Sequence, residues 1–353
     1  VYALARLSSQ PWMVALAALG LSAGLTSFST GNMLPLGLAA VVVAALCVQR
    51  GHLMYGVVAI AIAMVEPQIA LPAALAVFIT FPAARLALVL AGAFLGAISL
   101  LAAGVPQTIA YVTTVLPAHA LAEVSRDNQY SLAAVLTAAG VPDATAVLFG
   151  SISYVVMLAI GVLVALRLAR RYDEPALVLL IPPAFSLLGG SFVHTAEIAA
   201  AVPAALLLYM RAVSLRAWLF AAFVLLAVPW LQATSIVMFL APFFPVAYLV
   251  YVLWRQDRTL ALGTALLAFI TIGGLFVLAA QPHAAAAALP HAHPPIDPRL
   301  AEASWRDLVL SNTTNRPIMW LLRLPTWCGL LLLAGSAVAL TRKPRLVLAA
   351  QSP

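Results

Sequence analysis

Residues 52–80 read HLMYGVVAIAIAMVEPQIALPAALAVFIT, and this stretch decides the fold. It holds two apolar runs, 52–65 and 68–80, which are separated by Glu66 and Pro67. Each run has about 13 or 14 residues and reaches about 20 Å as a helix, which is too short to cross a hydrocarbon core of about 30 Å. Either the two runs form one long helix kinked at Pro67, or they form a hairpin that enters and leaves the membrane on the same side.

Basic residues decide between these alternatives, because Lys and Arg in short loops stay on the cytoplasmic side of a membrane. A single kinked span would place Arg50 and Arg85 on opposite sides and move the later basic loops to the wrong face. A hairpin instead places 13 of the 18 basic residues inside, against three acids, Asp173, Glu174 and Asp257. We therefore predict a re-entrant helical hairpin.

The rest of the chain has the composition of a membrane protein. Of its 353 residues, 64% are hydrophobic and 8% are charged, whereas soluble domains carry about a quarter charged residues. We predict an all-α, polytopic transmembrane helical bundle with about 10 full spans beside the re-entrant hairpin at 52–80 and a single transmembrane domain over 1–345. The predicted spans are 12–28, 33–49, 86–104, 145–166, 175–191, 192–210, 217–231, 233–253, 260–280 and 324–340.

The loops are distributed unevenly between the two faces. Two long loops are predicted on the outer face, at 105–144 and 281–323, and the second ends in a helix over 300–323 that we expect to lie on the membrane surface. A cytoplasmic tail is predicted at 346–353, in a multi-pass protein of the bacterial inner membrane whose C-terminus is cytoplasmic.

Several classes of partner are disfavoured by the pattern. The basic residues are spread over many short loops and form no patch interleaved with aromatics, so we expect membrane lipids and no nucleic acid as partners. His283, His291 and His293 lie in a Pro/Ala-rich stretch without carboxylates at a suitable spacing, which favours a linker over a metal site. No metal and no cofactor are predicted.

Ionisable residues inside the predicted spans are few: Glu66, His194 and Glu197. A charge within hydrocarbon is unfavourable unless it faces a polar cavity or a partner, so each is a candidate site residue. Glu66 either lines a cavity at the hairpin tip or emerges into water. His194 and Glu197 share a helix face at i and i+3, where they form either a proton-handling pair or a structural hydrogen bond.

An ordered set of short motifs resembles the GT-C glycosyltransferases of family 87, formerly a domain of unknown function. The set comprises Gly31-Asn32, Arg50-Gly51, Glu66-Pro67-Gln68, Asn128-Gln129-Tyr130-Ser131-Leu132 and Ser191-Phe192-Val193-His194. It covers about residues 1–210 in order and spacing, and no single motif in it is specific. The resemblance implies that the predicted transmembrane bundle is GT-C-like.

The resemblance implies an inverting glycosyltransferase that moves a hexose, mannose-like, from a polyprenyl-phosphate sugar donor to a lipid-linked or cell-envelope glycan acceptor at the outer face. It implies that Glu66 and Gln68 line the cavity, that Asn128, Gln129 and Tyr130 orient sugar or phosphate, and that His194 contacts the donor phosphate. Arg126 would pair with the leaving phosphate, and Glu197 accompanies His194. From the residues alone, Asn128 to Ser131 also fit a helix N-cap, and Arg126 beside Asp127 fits a solvated ion pair.

Two departures from the family pattern qualify these expectations. The family usually has Lys-Pro-Gln where this chain has Glu66-Pro67-Gln68, and a carboxylate would repel a phosphate unless it is protonated or paired. The family also carries an acidic general base in its first outer loop, whereas Ser29 to Asn32 holds no acid. We therefore expect that an N-terminal portion is missing from this chain, and the catalytic base is unknown.

Two other classes of function stay open. A degenerate or non-catalytic GT-C subunit would explain both the missing base and the substitution at Glu66. A lipid or solute transporter would share the broken helices but should carry inverted repeats, and none is found in the sequence.

Overall fold

The computed structural model describes residues 1–19, 32–124, 129–228 and 317–342, together with Trp230 and a few single residues between 250 and 265. Over these ranges the chain is helical and contains no strand, apart from one isolated β-bridge. The α-helices, numbered through the described ranges, are α1 (Tyr2–Ser8), α2 (Trp12–Leu19), α3 (Leu34–Gln49), α4 (Leu53–Ala63), α5 (Pro67–Thr80), α6 (Arg85–Ala103), α7 (Val105–Ala110), α8 (Leu116–Glu123), α9 (Leu132–Ala138), α10 (Asp143–Tyr172), α11 (Leu177–Ser186), α12 (Ala201–Arg211), α13 (Arg216–Ala227) and α14 (Pro317–Arg342).

Three stretches of the described chain are long and apolar enough to cross a membrane by length and composition: Pro82–Ala103, Asp143–Tyr172 and Arg323–Arg342. They correspond to three of the predicted spans and support a membrane protein. The longest, α10, has 30 residues and is about 45 Å long. The total of about 10 spans stays a prediction, because 233–253 and 260–280 and the second half of 12–28 lie almost wholly outside the described residues.

Two short helices, α4 and α5, occupy the stretch that decides the fold, as predicted. The chain leaves the helical path at Glu66, and Pro67 then begins α5, a position where its missing N–H leaves no bond unmade. The 14 residues of α5 extend about 21 Å. The turn at Pro82–Ala84 that follows nevertheless contacts α4, which is possible only if α5 folds back beside it. The two helices therefore form a hairpin and not one kinked helix.

The tip of this hairpin lies level with the beginning of α3. Helices α3 and α4 are antiparallel neighbours, since a Cβ at Gly56 would lie 2.9 Å from Val48 near the end of α3. Near the start of α3, a Cβ at Gly37 would lie 2.8 Å from the Cβ of Glu66. The absence of a side chain at Gly37 lets the tip pack against α3.

Several contacts gather the ends of other helices at the opposite end of the bundle, which we name the basic end. There the Gln49 side chain accepts a hydrogen bond from the Ala176 N–H at 3.1 Å. Arg211 donates to Glu174 at 2.5 Å and to the Leu7 carbonyl at 3.1 Å.

Arg171 adds a further bond at this end by donating to the Leu340 carbonyl at 2.7 Å. The end of α14 therefore reaches the basic end as well. Among the described residues, the predicted clustering of basic loops on one side agrees with these contacts.

Helix α11 forms the centre of the bundle, and each of its residues is buried. It packs against α10, α5, α12 and α3. Its ten residues are too few to cross a membrane alone, and they end before the predicted boundary of 175–191. Beyond it, the segment 187–194 continues toward the end of the bundle opposite the basic end.

The predicted span 192–210 is wrong as a continuous helix. His194 has extended backbone, Thr195–Ala200 form a 3₁₀ helix, and only α12 is α-helical. The cause is tertiary, because Val193 pairs with a neighbouring segment through its backbone N–H and carbonyl, and a helix cannot supply that pairing.

The stretch 105–144, predicted as a long outer loop, is largely helical where the structure describes it. It contains α7, a π-helical turn at Tyr111–Val115, α8 and α9. Polar residues in this stretch marked it as a loop, but its spacing of apolar residues is compatible with helix. Of the second predicted loop and its surface helix, only 317–323 is described, and it belongs to α14. The remaining spans, 33–49, 86–104, 145–166, 217–231 and 324–340, coincide with α3, α6, α10, α13 and α14 with shifted boundaries.

A contact between glycines holds the 187–194 segment against α10. The Gly190 N–H donates to the Gly150 carbonyl at 2.9 Å. A Cβ at Gly150 would lie 2.5 Å from the Gly190 carbonyl oxygen, and a Cβ at Gly189 would lie 2.6 Å from the backbone of Ser153. Gly190 also has a φ of 108°, which favours glycine. The backbones approach as closely as they do because these side chains are absent.

We expect Gly150→Ala to destabilise the protein by about 1–3 kcal/mol, since the new methyl group would meet backbone atoms that cannot rotate away. Gly96→Ala is the matched control, because Gly96 is also inside a helix but a Cβ there meets nothing within 4 Å. Both changes gain the same intrinsic helix propensity. Thermal unfolding in detergent micelles measures the difference, and equal melting temperatures for the two variants would refute the close contact.

Candidate functional site

A histidine held between two carboxylates lies at the end of the bundle opposite the basic end. His194 Nε2 is 3.2 Å from Glu123 Oε2, and His194 Nδ1 is 3.2 Å from Glu197 Oε1. The carboxylates are almost fully buried, at 1% and 2% exposure. The His194 side chain keeps 22% exposure. The imidazole is thus the accessible member of a buried triad.

Two amide side chains extend this triad into a larger network. Gln68 donates from Nε2 to Glu66 at 2.7 Å and to Glu197 at 3.3 Å. Gln129, which is fully buried, donates to Glu123 at 3.4 Å. We name this set the acidic cluster: Glu66, Gln68, Glu123, Gln129, His194 and Glu197.

A short backbone pairing brings the parts of the acidic cluster together. The Tyr130 N–H donates to the Val193 carbonyl at 2.7 Å, and the Gln129 side-chain oxygen accepts from the Val193 N–H at 2.9 Å. An antiparallel bridge joins Gln129 to His194 at the same place. The chain enters α9 directly after this pairing, where the Ser131 hydroxyl caps the helix by accepting from Ala134 N–H at 3.1 Å. The N-cap interpretation is therefore confirmed at Ser131.

Most of the predicted site residues that the structure describes meet in this cluster. Glu66, Gln68, Gln129, His194 and Glu197 come from three separate stretches of the chain and are linked by hydrogen bonds. Tyr130 joins through its backbone, while its side chain is buried in the hydrophobic core. Arg126 and Asn128 lie outside the described residues.

Sequence reasoning missed Glu123 as a site residue. It ends α8 and meets His194 across 71 positions of the chain. Its one sequence signal is that it is an acid at the end of a segment, 105–124, that otherwise reads as apolar helix. Treating 105–144 as a loop hid this signal, because a loop acid is ordinarily solvated.

The two carboxylates determine the protonation of His194, which lies in extended backbone outside the three candidate spans. Burial alone would lower the pKa of His194. The hydrogen bonds and charges of Glu123 and Glu197 outweigh burial and raise the pKa to about 9. At neutral pH the imidazole is therefore a cation between two anions. Glu66 adds a third carboxyl group beside this set, linked to it through Gln68.

The cluster is chemically suited to accept hydrogen bonds and protons from hydroxyl groups. Ionised carboxylates are acceptors only, and amide oxygens add further acceptor sites. Both ring nitrogens of His194 are already engaged by carboxylates, so a phosphate could bind the imidazole only by displacing one of them. Within the described ranges, no group of three or more His, Cys, Asp or Glu side chains is arranged to hold a metal ion.

An apolar groove includes Met64 in its lining, two positions before Glu66 in the chain. It lies between α4, α5 and α6 and has a volume of about 250 Å³. Its lining is hydrocarbon throughout, from Ile60, Ala61, Met64, Leu71, Ala74, Leu75, Phe78, Leu88, Val89, Ala91, Gly92 and Leu95. None of the residues of α6 is buried, so this wall of the groove faces the surroundings of the bundle. The groove would accept a hydrocarbon chain from the membrane.

The free energy of unfolding should depend on pH through the charge of His194, and the sign of this dependence follows from the raised pKa of His194. The stabilisation by the imidazolium is fully present below 6.5, the ordinary histidine pKa, and is lost as the pH rises through about 9. We expect NMR titration of histidine-labelled protein in micelles to show a resonance with this high pKa.

The Glu123→Gln and Glu197→Gln variants should each lower the pKa of His194, because each removes one negative charge. Glu174→Gln is the control, since Glu174 is a buried, ion-paired carboxylate at the basic end. A His194 pKa that stays the same in the first two variants would contradict the clamped geometry.

The chain was also compared with known proteins. No family model matches it, and neither a curated protein nor a solved structure matches it.

Proposed function

We propose that the protein is a membrane glycosyltransferase of the GT-C type that moves a mannose-like hexose from a polyprenyl-phosphate donor to a lipid-linked or cell-envelope glycan acceptor. The observation that carries the proposal is the clamp of His194 between Glu123 and Glu197 at one end of an apolar helical bundle. A buried set of carboxylates next to a hydrocarbon groove combines proton acceptance with access for a lipid.

In this reaction the acidic cluster acts as the general base that removes the proton of the acceptor hydroxyl. The acceptor hydroxyl oxygen forms a bond to the anomeric carbon of the sugar while the bond from that carbon to the donor phosphate oxygen breaks. The hydroxyl proton passes to a carboxylate, and polyprenyl phosphate leaves with the bonding electron pair. Positioned general bases of this kind contribute about 10²–10⁴-fold to rates. Glu123 and Glu197 are the carboxylates whose orientation His194 fixes.

The groove beside Glu66 supports a lipid-linked donor. A polyprenyl chain is a hydrocarbon, and each buried CH₂ group contributes about 0.8 kcal/mol. The groove opens along α6 and ends near Met64, close to the Glu66 and Gln68 side of the acidic cluster. A donor with its tail in the groove would therefore carry its head group toward the carboxylates.

The donor phosphate requires a cation that the described members of the cluster do not offer. His194 has its nitrogens bonded to carboxylates, and Glu66 replaces the family lysine. We assign this role to Arg126, which stands three residues after Glu123 in the chain. The site is proposed to face the outer side of the inner membrane, since the opposite end gathers Arg171 and Arg211 and basic ends stay in the cytoplasm.

One observation favours a second candidate function. Both ring nitrogens of His194 are hydrogen-bonded to carboxylates, as in a cluster whose only role is to stabilise the fold. A non-catalytic GT-C subunit would carry such a cluster, bind a partner in the membrane and transfer no sugar.

A transfer assay separates these two functions. Membranes containing the full chain are supplied with radiolabelled polyprenyl-phosphate sugars and glycolipid acceptors. We expect Glu123→Gln and Glu197→Gln to lower transfer by at least about 10²-fold, because an amide cannot accept the proton. Glu174→Gln should retain transfer, since it alters an equally buried carboxylate at the basic end. Absence of transfer by the wild-type chain with every donor would favour the non-catalytic subunit.

The groove gives a second test of the same proposal. Gly92 lines the groove and Gly96 does not, and a Cβ at either position meets nothing within 4 Å. We expect Gly92→Leu to raise KM about tenfold for long-chain donors by filling the groove, which corresponds to about 1.4 kcal/mol. Short-chain donors should be unaffected.

Gly96→Leu is the matched control on the same helix. Equal KM values for long-chain donors in Gly92→Leu and Gly96→Leu would remove the groove from the proposal while leaving the acidic cluster in it.

A further inference from the structure

Three aromatic rings form a row at the mouth of the acidic cluster. Phe192 lies 5.7 Å from His119 with the ring planes at 84°, and 5.9 Å from His194 with the planes at 58°. All three residues are partly exposed. Neither imidazole is parallel to the phenyl ring, so neither covers it as a stacked partner would. The row comes from two different elements, α8 and the extended segment before the 3₁₀ helix.

This row directly adjoins the hydrogen-bond acceptors of the cluster. His194 is its last ring and is also bonded to Glu123 and Glu197, while Gln68 reaches Glu197 at 3.3 Å. An aromatic surface therefore borders a set of carboxylate and amide groups within one side-chain length. A ligand that fits here has an apolar face and a rim of hydrogen-bond donors.

The charge of the cluster decides which chemical group meets this description. A phosphate would face the carboxylates of Glu123 and Glu197, and both nitrogens of the one imidazole are already bonded to them, which is unfavourable at close range. A hydrocarbon tail would offer no hydrogen bond to the remaining lone pairs of the carboxylate and amide oxygens, and the groove beside Glu66 is better suited to it. A pyranose ring satisfies both requirements, because its C–H groups form an apolar face and its hydroxyl groups donate to carboxylates.

We propose that Phe192, flanked by His119 and His194, is the platform on which the apolar face of a pyranose packs while the sugar hydroxyls bond to the acidic cluster. The proposal deepens the proposed function, on which it rests for the identity of the sugar as a transferred group. In this arrangement Phe192 is a sugar-binding residue. The sugar hydroxyls form hydrogen bonds with Glu66, Gln68 and Glu197.

The test is saturation-transfer NMR on the purified full chain in a detergent without a sugar head group. The probes are methyl mannopyranoside, methyl glucopyranoside and methyl galactopyranoside, so that the readout does not depend on turnover. We expect saturation of the pyranose C–H protons in the wild type and at least a fivefold weaker signal in Phe192→Leu. Phe192→Trp should retain the signal, because it keeps an aromatic face.

Phe94→Leu is the matched control, since Phe94 is an exposed phenylalanine on α6, away from the cluster. It should leave the NMR signal unchanged. Size-exclusion profiles of each variant show whether the chain is folded, and Phe192→Trp preserves the test if Phe192→Leu does not fold. Equal signals in Phe192→Leu and the wild type, or no signal from any of the three probes, would overturn the proposal.

The outcome is distinguishable from failure of the transferase itself. If the chain binds pyranosides through Phe192 but transfers no sugar, the sugar-binding proposal stands and the proposed transferase activity is refuted. If transfer occurs, Phe192→Leu should raise KM for the sugar-bearing donor about tenfold and leave the affinity for polyprenyl phosphate without sugar unchanged. A loss of affinity for both lipids would show that Phe192 acts only through the fold and would overturn the platform.

Discussion

The candidate site depends on the backbone pairing between Tyr130 and Val193. One N–H to carbonyl bond and one side-chain bond from Gln129 align two segments that are 63 residues apart along the chain. This alignment brings the end of α8 beside the extended segment, so that Glu123 reaches His194. Inside an apolar bundle such a pairing is strongly favoured, because buried backbone groups need hydrogen-bond partners and find few alternatives.

The same constraint explains why polar groups can collect where hydrocarbon dominates the composition. Burying one carboxylate without a partner is strongly unfavourable, and the cluster avoids this by sharing each carboxylate among imidazole and amide donors. Gln68 bonds to Glu66 and Glu197, and His194 bonds to Glu197 and Glu123, so that Glu197 is shared by both. The network is stable as a whole, and removal of one donor leaves a buried acceptor unsatisfied.

Much of the helical bundle could be predicted from the sequence, because apolar run length and the break at Glu66-Pro67 are local signals. The hairpin was accessible in this way, as were the ionisable members Glu66, His194 and Glu197, whereas Gln68 and Gln129 were named through the resemblance in motif order. The interruption of the helix at His194 could not be predicted from local signals, because it results from the pairing of Val193 with Tyr130. The role of Glu123 could not be predicted either, because it depends on a partner 71 positions away.

The length of α10 has a consequence for the medium around the protein. Its apolar part between Asp143 and Arg167 is about 35 Å long, somewhat more than a hydrocarbon core of about 30 Å. A helix that exceeds the local thickness tilts or deforms the lipid around it. Gly150 lies on this helix and touches Gly190 directly. A change in bilayer thickness that alters the tilt would thus be transmitted to the extended segment, which couples the geometry at His194 to the lipid composition of the membrane.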